Sequence, residues 1–145
     1  MNLQIKDFLL STVRKELVDL FQIHILGYSC CEFQVATLDN LPEHLHFTGR
    51  EKVSPYLADV LVVTGIVTEK LGHHLKDYYN RLDLPKFVIT VGSCANSGSP
   101  FKSYSVVSGT RHFLPIDVYV PGCPPRSSDF FDALEKLKIK TSWST

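Results

Sequence analysis

The stretch that decides the fold is "ADVLVVTGIVTEKLGHHLKDYYNRL", Ala58 to Leu82. Its first part, Ala58 to Gly65, is a continuous apolar run rich in β-branched residues. A strand of that kind is buried on both faces, as the strands of parallel sheets are. From Thr68 to Leu82 the pattern changes to a helix. A buried strand followed at once by a helix is the repeating unit of an α/β layer fold.

The same alternation extends in both directions. Towards the C-terminus, "KFVITVGSC" (Lys86 to Cys94) reads as a second buried strand, and "IDVYVPGCPP" (Ile116 to Pro125) as another, which runs into a proline-stiffened turn. "ANSGSPFKSYSVVSGT" between them, rich in small polar residues, reads as loop. "SSDFFDALEKLKIK" closes the chain as an amphipathic helix, with Ser128 as N-cap and Phe130, Phe131, Leu134 and Leu137 on one face. Towards the N-terminus, Gln22 to Leu26 reads as a short strand that ends at Gly27. "CEFQVATLDNLPEH" continues as helix as far as Pro42, and "HFTGREKVSP" (His46 to Pro55) as loop. Ile5, Phe8, Leu9, Val13, Leu17, Leu20 and Phe21 give the first segment one apolar helical stripe. The expected fold is α/β: a three-layer sandwich on a mainly parallel four-stranded sheet, flavodoxin-like. Residues 1–145 are expected to form a single domain, with 1–21 as an N-terminal helix that serves either core or interface.

Composition narrows the function classes. The chain has 145 residues, 44% apolar and 21% charged, with 15 basic and 15 acidic residues. That is ordinary globular usage, so disorder is not expected. Zero net charge lacks the basic footprint of a nucleic-acid binder. The longest apolar run, Val60 to Val67, is far below the ~20 residues of a membrane-spanning helix. The charged N-terminal segment does not read as a signal peptide. A reducing compartment is therefore expected, where cysteines are more often free, catalytic or metal-bound than disulfide-bonded.

The four cysteines fall in a pattern. Cys30 and Cys31 are neighbours, just past the first strand in "GYSCCEFQ" (Gly27 to Gln34). Cys94 follows another strand in "VGSCANSG", and Cys123 follows the last in "VPGCPPR". All four lie just beyond the carboxyl ends of strands, the edge where open α/β sheets bind ligands. Gly27, Gly92 and Gly122 precede them by one to three residues, permitting tight turns and backbone N–H groups aimed at an anionic centre. Buried inert thiols would sit inside strands instead. Structural zinc sites use paired C-x₂₋₄-C knuckles, and none is present. A vicinal Cys30–Cys31 disulfide would leave Cys94 and Cys123 unexplained. An iron–sulfur cluster suits four thiolates drawn from distant loops.

Taken together, "GYSCCEFQVATL", "ADVLVVTGIVTEK", "VGSCANSG" and "IDVYVPGCPPR" resemble the iron–sulfur subunit next to the quinone site of respiratory complex I, NADH:quinone oxidoreductase. The same fold recurs in the small subunits of [NiFe] hydrogenases. The resemblance covers Gln22 to about Ala133. It implies one [4Fe–4S] cluster held by Cys30, Cys31, Cys94 and Cys123, no catalytic acid or base, and electron transfer to quinone. It implies a large hydrogenase-like subunit, a ferredoxin-like iron–sulfur subunit and membrane-arm subunits as partners. It places the chain peripherally on the cytoplasmic face of the membrane, or the equivalent matrix or stromal face. The segment after the cysteine pair is expected to line part of the quinone cavity. An electron-relay subunit of a membrane-bound energy-converting hydrogenase or related complex is the alternative.

Several positions depart from that pattern. Gln34 stands where complex I members usually carry an acid, and Glu32 supplies a carboxylate earlier. Tyr56 stands where an arginine is expected. Tyr28 occupies the place of the first cysteine in the C-x-x-C hydrogenases. Two consecutive thiols turned towards one cluster imply a strained backbone at Cys30–Cys31. His24 reads as a core residue, His73 and His74 as helix surface, and His44 and His46 as loop residues near the cysteine pair. Arg111 and Arg126 read either as counter-charges to a cluster or as plain surface.

Overall fold

The computed structural model describes residues 23–27, 29–31, 46–47, 59–82, 86–98, 101 and 103–143. The strands are β1 (Ile23–Leu26), β2 (His46–Phe47), β3 (Val60–Thr64), β4 (Phe87–Val91) and β5 (Val118–Val120). The helices are α1 (Glu69–Arg81), α2 (Ser93–Ser97) and α3 (Ser127–Trp143), with a 3₁₀ turn at Thr110–His112. The strands form one sheet in the order β2-β1-β3-β4-β5, and every pairing is parallel. This is the flavodoxin order, with a topological switch point between β1 and β3.

β3 is the centre of the sheet. It pairs with β1 from Ile23↔Val60 to Leu26↔Val63, and with β4 from Val60↔Phe87 to Thr64↔Val91. All five of its residues are buried, as its apolar run requires. The sheet's two faces are clothed by different helices. Ile23, Ile25, Val60, Val62, Ile89, Val91 and Val120 pack against Phe130, Ala133, Leu134 and Leu137 of α3. Leu61, Val63 and Val88 face the other way, onto Leu75 and Leu82 at α1 and onto Val67, Ala95 and Leu114. Helix, sheet and helix make three layers, as the sequence predicts.

Three local readings are corrected. The sheet has a fifth strand: His46–Phe47 pairs with β1 through His24↔His46 and Ile25↔Phe47, where loop was expected. Two residues are too short for any period to register. α3 begins at Ser127, so Ser128 lies inside the helix and is not its N-cap. The Asp129 carboxylate instead accepts from the Arg126 N–H at 3.0 Å, closing the first turn from within. The start of the loop after β4 is helical, α2, and ends at Gly98 in the left-handed conformation (φ 73°). The expected helices at 1–21 and after the cysteine pair lie outside the described residues, as do Tyr28, Glu32, Gln34, His44 and Tyr56.

Candidate metal centre

The carboxyl edge of the sheet gathers all four cysteines. Cys30 and Cys31 follow β1 and have helical backbone. Cys94 is the second residue of α2, directly after β4, and Cys123 follows β5 by three residues. All four are free thiols, so the vicinal disulfide is absent. Cys31 is 3% exposed, Cys94 is half-buried, and Cys30 and Cys123 are open to solvent.

The glycines do the bending. Gly27, Gly92 and Gly122 have φ of 142°, 90° and 130°, values that side-chain-bearing residues rarely adopt. A Cβ on Gly92 would collide with the Cys31 sulfur. The positive φ values fall on the glycines before the cysteines. Both cysteines keep helical backbone, and the unusual conformation is taken up by Gly27, before them.

The thiols sense one another. Burial pushes the Cys31 thiol up to about 12, and the neighbouring Cys30 thiol, then Cys94 and Cys123, push the same way. Burial also raises Cys94, with Cys123 and Cys30 adding to it, against a lowering backbone hydrogen bond. Four thiolates gathered at one edge repel, so they favour a cationic inorganic core between them. Among the described residues, no three His, Cys, Asp or Glu side chains close around a point as ligands of a single metal ion do. A tetrahedral zinc, with Zn–S near ~2.3 Å, finds no preformed cage here. A cubane, whose ligands attach at separate corners, takes wider-set thiolates. The donor set, its single edge and the glycine cradle fit an iron–sulfur cluster.

An apolar cavity of about 590 Å³ opens beside two of these cysteines. It lies at the switch point, between the ends of β1 and β3. Gly27, Cys30, Thr64, Gly65, Tyr78 and Cys94 are among its lining residues. Ile66, Leu71 and Phe101, which also line it, are exposed large hydrophobics. His73 and His74 are exposed on α1, as expected, and His74 also lines the cavity. His24 is half-buried and its ring stacks on Tyr78 at 5.4 Å, the core role expected of it. His73 meets Phe113 edge-on at 5.3 Å. Arg111 and Arg126 are exposed. The cavity had no signal in the sequence, because its walls come from segments as distant as Leu26 and Phe101. Nor did the side chains of Ser93 and Asn96, which bridge two cysteine loops, stand out from the other small polar residues around Cys94.

A flavodoxin-ordered α/β domain whose four cysteines meet at the carboxyl edge is the class these features define, and the fold is shared with a hydrogenase. The solved NAD⁺-reducing [NiFe]-hydrogenase has a chain that matches with a TM-score of 0.56 at 18% identity, covering 81% of this chain and 89% of that one. The chain belongs to the family of the NADH ubiquinone oxidoreductase 20 kDa subunit, whose model matches residues 23–137. It is 37% identical over 145 aligned residues to an NADH-quinone oxidoreductase subunit of this family from Clostridium beijerinckii, covering 94% of this chain and 86% of that one. It is 41% identical over 118 aligned residues to the corresponding NADH-quinone oxidoreductase subunit from Leptospira biflexa, covering 81% of this chain but only 59% of that one. A chain of an archaeal respiratory membrane complex, the membrane-bound sulfane sulfur reductase, matches with a TM-score of 0.65 at 25% identity, covering 89% of this chain and 72% of that one. Among the described residues no helix is long and apolar enough to cross a membrane.

Proposed function

We propose that this chain is the electron-transfer subunit of a complex I-type membrane complex. It carries one [4Fe–4S] cluster on Cys30, Cys31, Cys94 and Cys123. One observation carries the reading: in a chain of this family, all four cysteines are free and lie at one sheet edge within electrostatic reach of one another. When bound, the cluster supplies one-electron chemistry, taking electrons from an upstream centre and giving them up to quinone. The protein's own part is to hold four thiolates, exclude water around Cys31 and supply turns tight enough to reach the ligand. No side chain here is assigned as acid, base or nucleophile.

The partners follow from the exposed apolar rim. Ile66, Leu71 and Phe101 surround a cavity that a lone chain leaves open to solvent. A larger hydrogenase-like subunit covering that rim would bury the exposed Cys30 and bring an acceptor close. A ferredoxin-like subunit would deliver electrons, and membrane-arm subunits would hold the assembly at the cytoplasmic face of the membrane or its equivalent. All 145 residues are read as one iron–sulfur domain.

The test is to purify the complex through a tag on this chain, reduce it anaerobically and add a water-soluble quinone. The reduced-cluster EPR signal should vanish as quinol forms. A signal that persists with quinone but vanishes with a sulfane-sulfur compound would favour a second reading, a relay to sulfur. That reading rests on the likeness to the sulfane sulfur reductase chain.

A further inference from the structure

The loops bearing Cys94 and Cys123 are tied together by hydrogen bonds that converge on two carbonyl oxygens. The Gly92 N–H donates to the Val120 carbonyl at 2.9 Å, and the Ser93 N–H donates to the Gly122 carbonyl at 2.9 Å. Two side chains double these contacts. The Ser93 hydroxyl donates to the same Gly122 carbonyl at 3.1 Å, and the Asn96 amide donates to the same Val120 carbonyl at 3.0 Å.

The placement matters. Ser93 is the residue before Cys94. The Gly122 carbonyl belongs to the peptide that joins Gly122 to Cys123. The two Ser93 bonds therefore fix the peptide next to one cysteine against the residue next to the other. Asn96 secures the same pair of loops one turn further along. Its Oδ1 is buried without a hydrogen-bond partner, so the donated bond alone orients the amide. Turning the amide over would set oxygen against oxygen.

We propose that Ser93 and Asn96 are positioning residues that set the separation and orientation of Cys94 and Cys123, and through them the symmetry of the bound cluster. The link to a cluster rests on the function proposed above; the clamp between the loops does not. The backbone bonds hold the sheet edge together. The side-chain bonds remove the remaining freedom, so that both thiolates present one geometry whether or not the site is filled.

The test uses the full chain in two states. In cluster-free protein, dibromobimane bridges thiol pairs that lie close together, and peptide mass spectrometry counts the Cys94–Cys123 bridge. In a Ser93→Ala, Asn96→Ala variant the bridged fraction should fall about 25-fold, about fivefold for each of the two net hydrogen bonds lost. Ser93→Thr, which keeps the hydroxyl, should bridge as the native chain does. If the double variant does not fold, Ser93→Ala alone, with three of the four contacts left, should show a smaller fall. Unchanged bridging in whichever variant folds overturns the proposal.

In cluster-loaded chain, the Ser93→Ala variant should broaden the EPR spectrum and shift the midpoint potential, with Ser93→Thr restoring both. Altered bridging beside an unchanged spectrum and potential would overturn the role in positioning the cluster. If no form of the chain takes up iron, while bridging falls as expected, the proposed function fails and the clamp stands.

Discussion

At the residue scale the centre is Cys31, a nearly buried thiol pressed by burial and by three other thiols. Its tendency to stay protonated has a definite sign. In the unfolded chain it ionises near 9; in the cluster-free fold it holds its proton to about 12. Between those values the unfolded state releases a proton that the folded state keeps, so stability falls as pH rises. Urea melts of cluster-free protein should show a steady loss from about pH 9 upward. Cys31→Ala should flatten the slope without removing it, since Cys94 and Tyr79 are raised in the same direction. A slope unchanged by the substitution would show that Cys31 is not the group that holds the proton. Gly92 gives the second residue-scale prediction. Gly92→Ala forces a Cβ onto the Cys31 sulfur at a φ of 90°. It should cost at least ~1–3 kcal/mol in cluster-free melts and lower iron uptake on reconstitution.

At the element scale the sheet face, the helices and their caps were legible to different degrees. β3 and β4 were readable because an uninterrupted β-branched run has few other homes. α1 was readable to within one residue at each end. Its N-cap Thr68 accepts from the Leu71 N–H at 3.2 Å, a local device. Thr68→Ala should therefore cost about 1 kcal/mol by thermal or urea melting. Leu134 of α3, fully buried on the sheet, is a stronger case. Leu134→Ala should cost ~2–5 kcal/mol, because the rigid sheet below it cannot collapse into the void. A loss as small as that of Thr68→Ala would mean that α3 is loosely docked. β2 and α2 were missed for one reason. Elements of two and five residues are held by neighbours, not by their own periodicity. The position of the cysteines at strand ends was legible; the clamp by Ser93 and Asn96 was not, because hydrogen bonds across 24 and 29 residues leave no trace in spacing.

At the scale of the whole molecule, the switch point between β1 and β3 explains why cavity and cysteines share one edge. The 590 Å³ apolar cavity opens there, at the carboxyl ends of β1 and β3, the edge where open α/β sheets bind ligands. Phe101, 55% exposed at its rim, belongs to neither core cluster among the described residues. Phe101→Glu should leave the melting of the isolated chain within ~0.5 kcal/mol of native, as exposed substitutions do. It should weaken co-purification with the partner subunits. Intact assembly would place the interface elsewhere. Four cysteines from three loops holding one cluster is the claim on which the rest depends. Anaerobic reconstitution followed by EPR of the dithionite-reduced protein tests it most directly, on the native chain and on Cys123→Ala. Equal iron and sulfide and a reduced-cubane signal are expected in the native chain, with the signal abolished or strongly altered in the variant. A native chain without iron, or a variant with an unchanged spectrum, would contradict it.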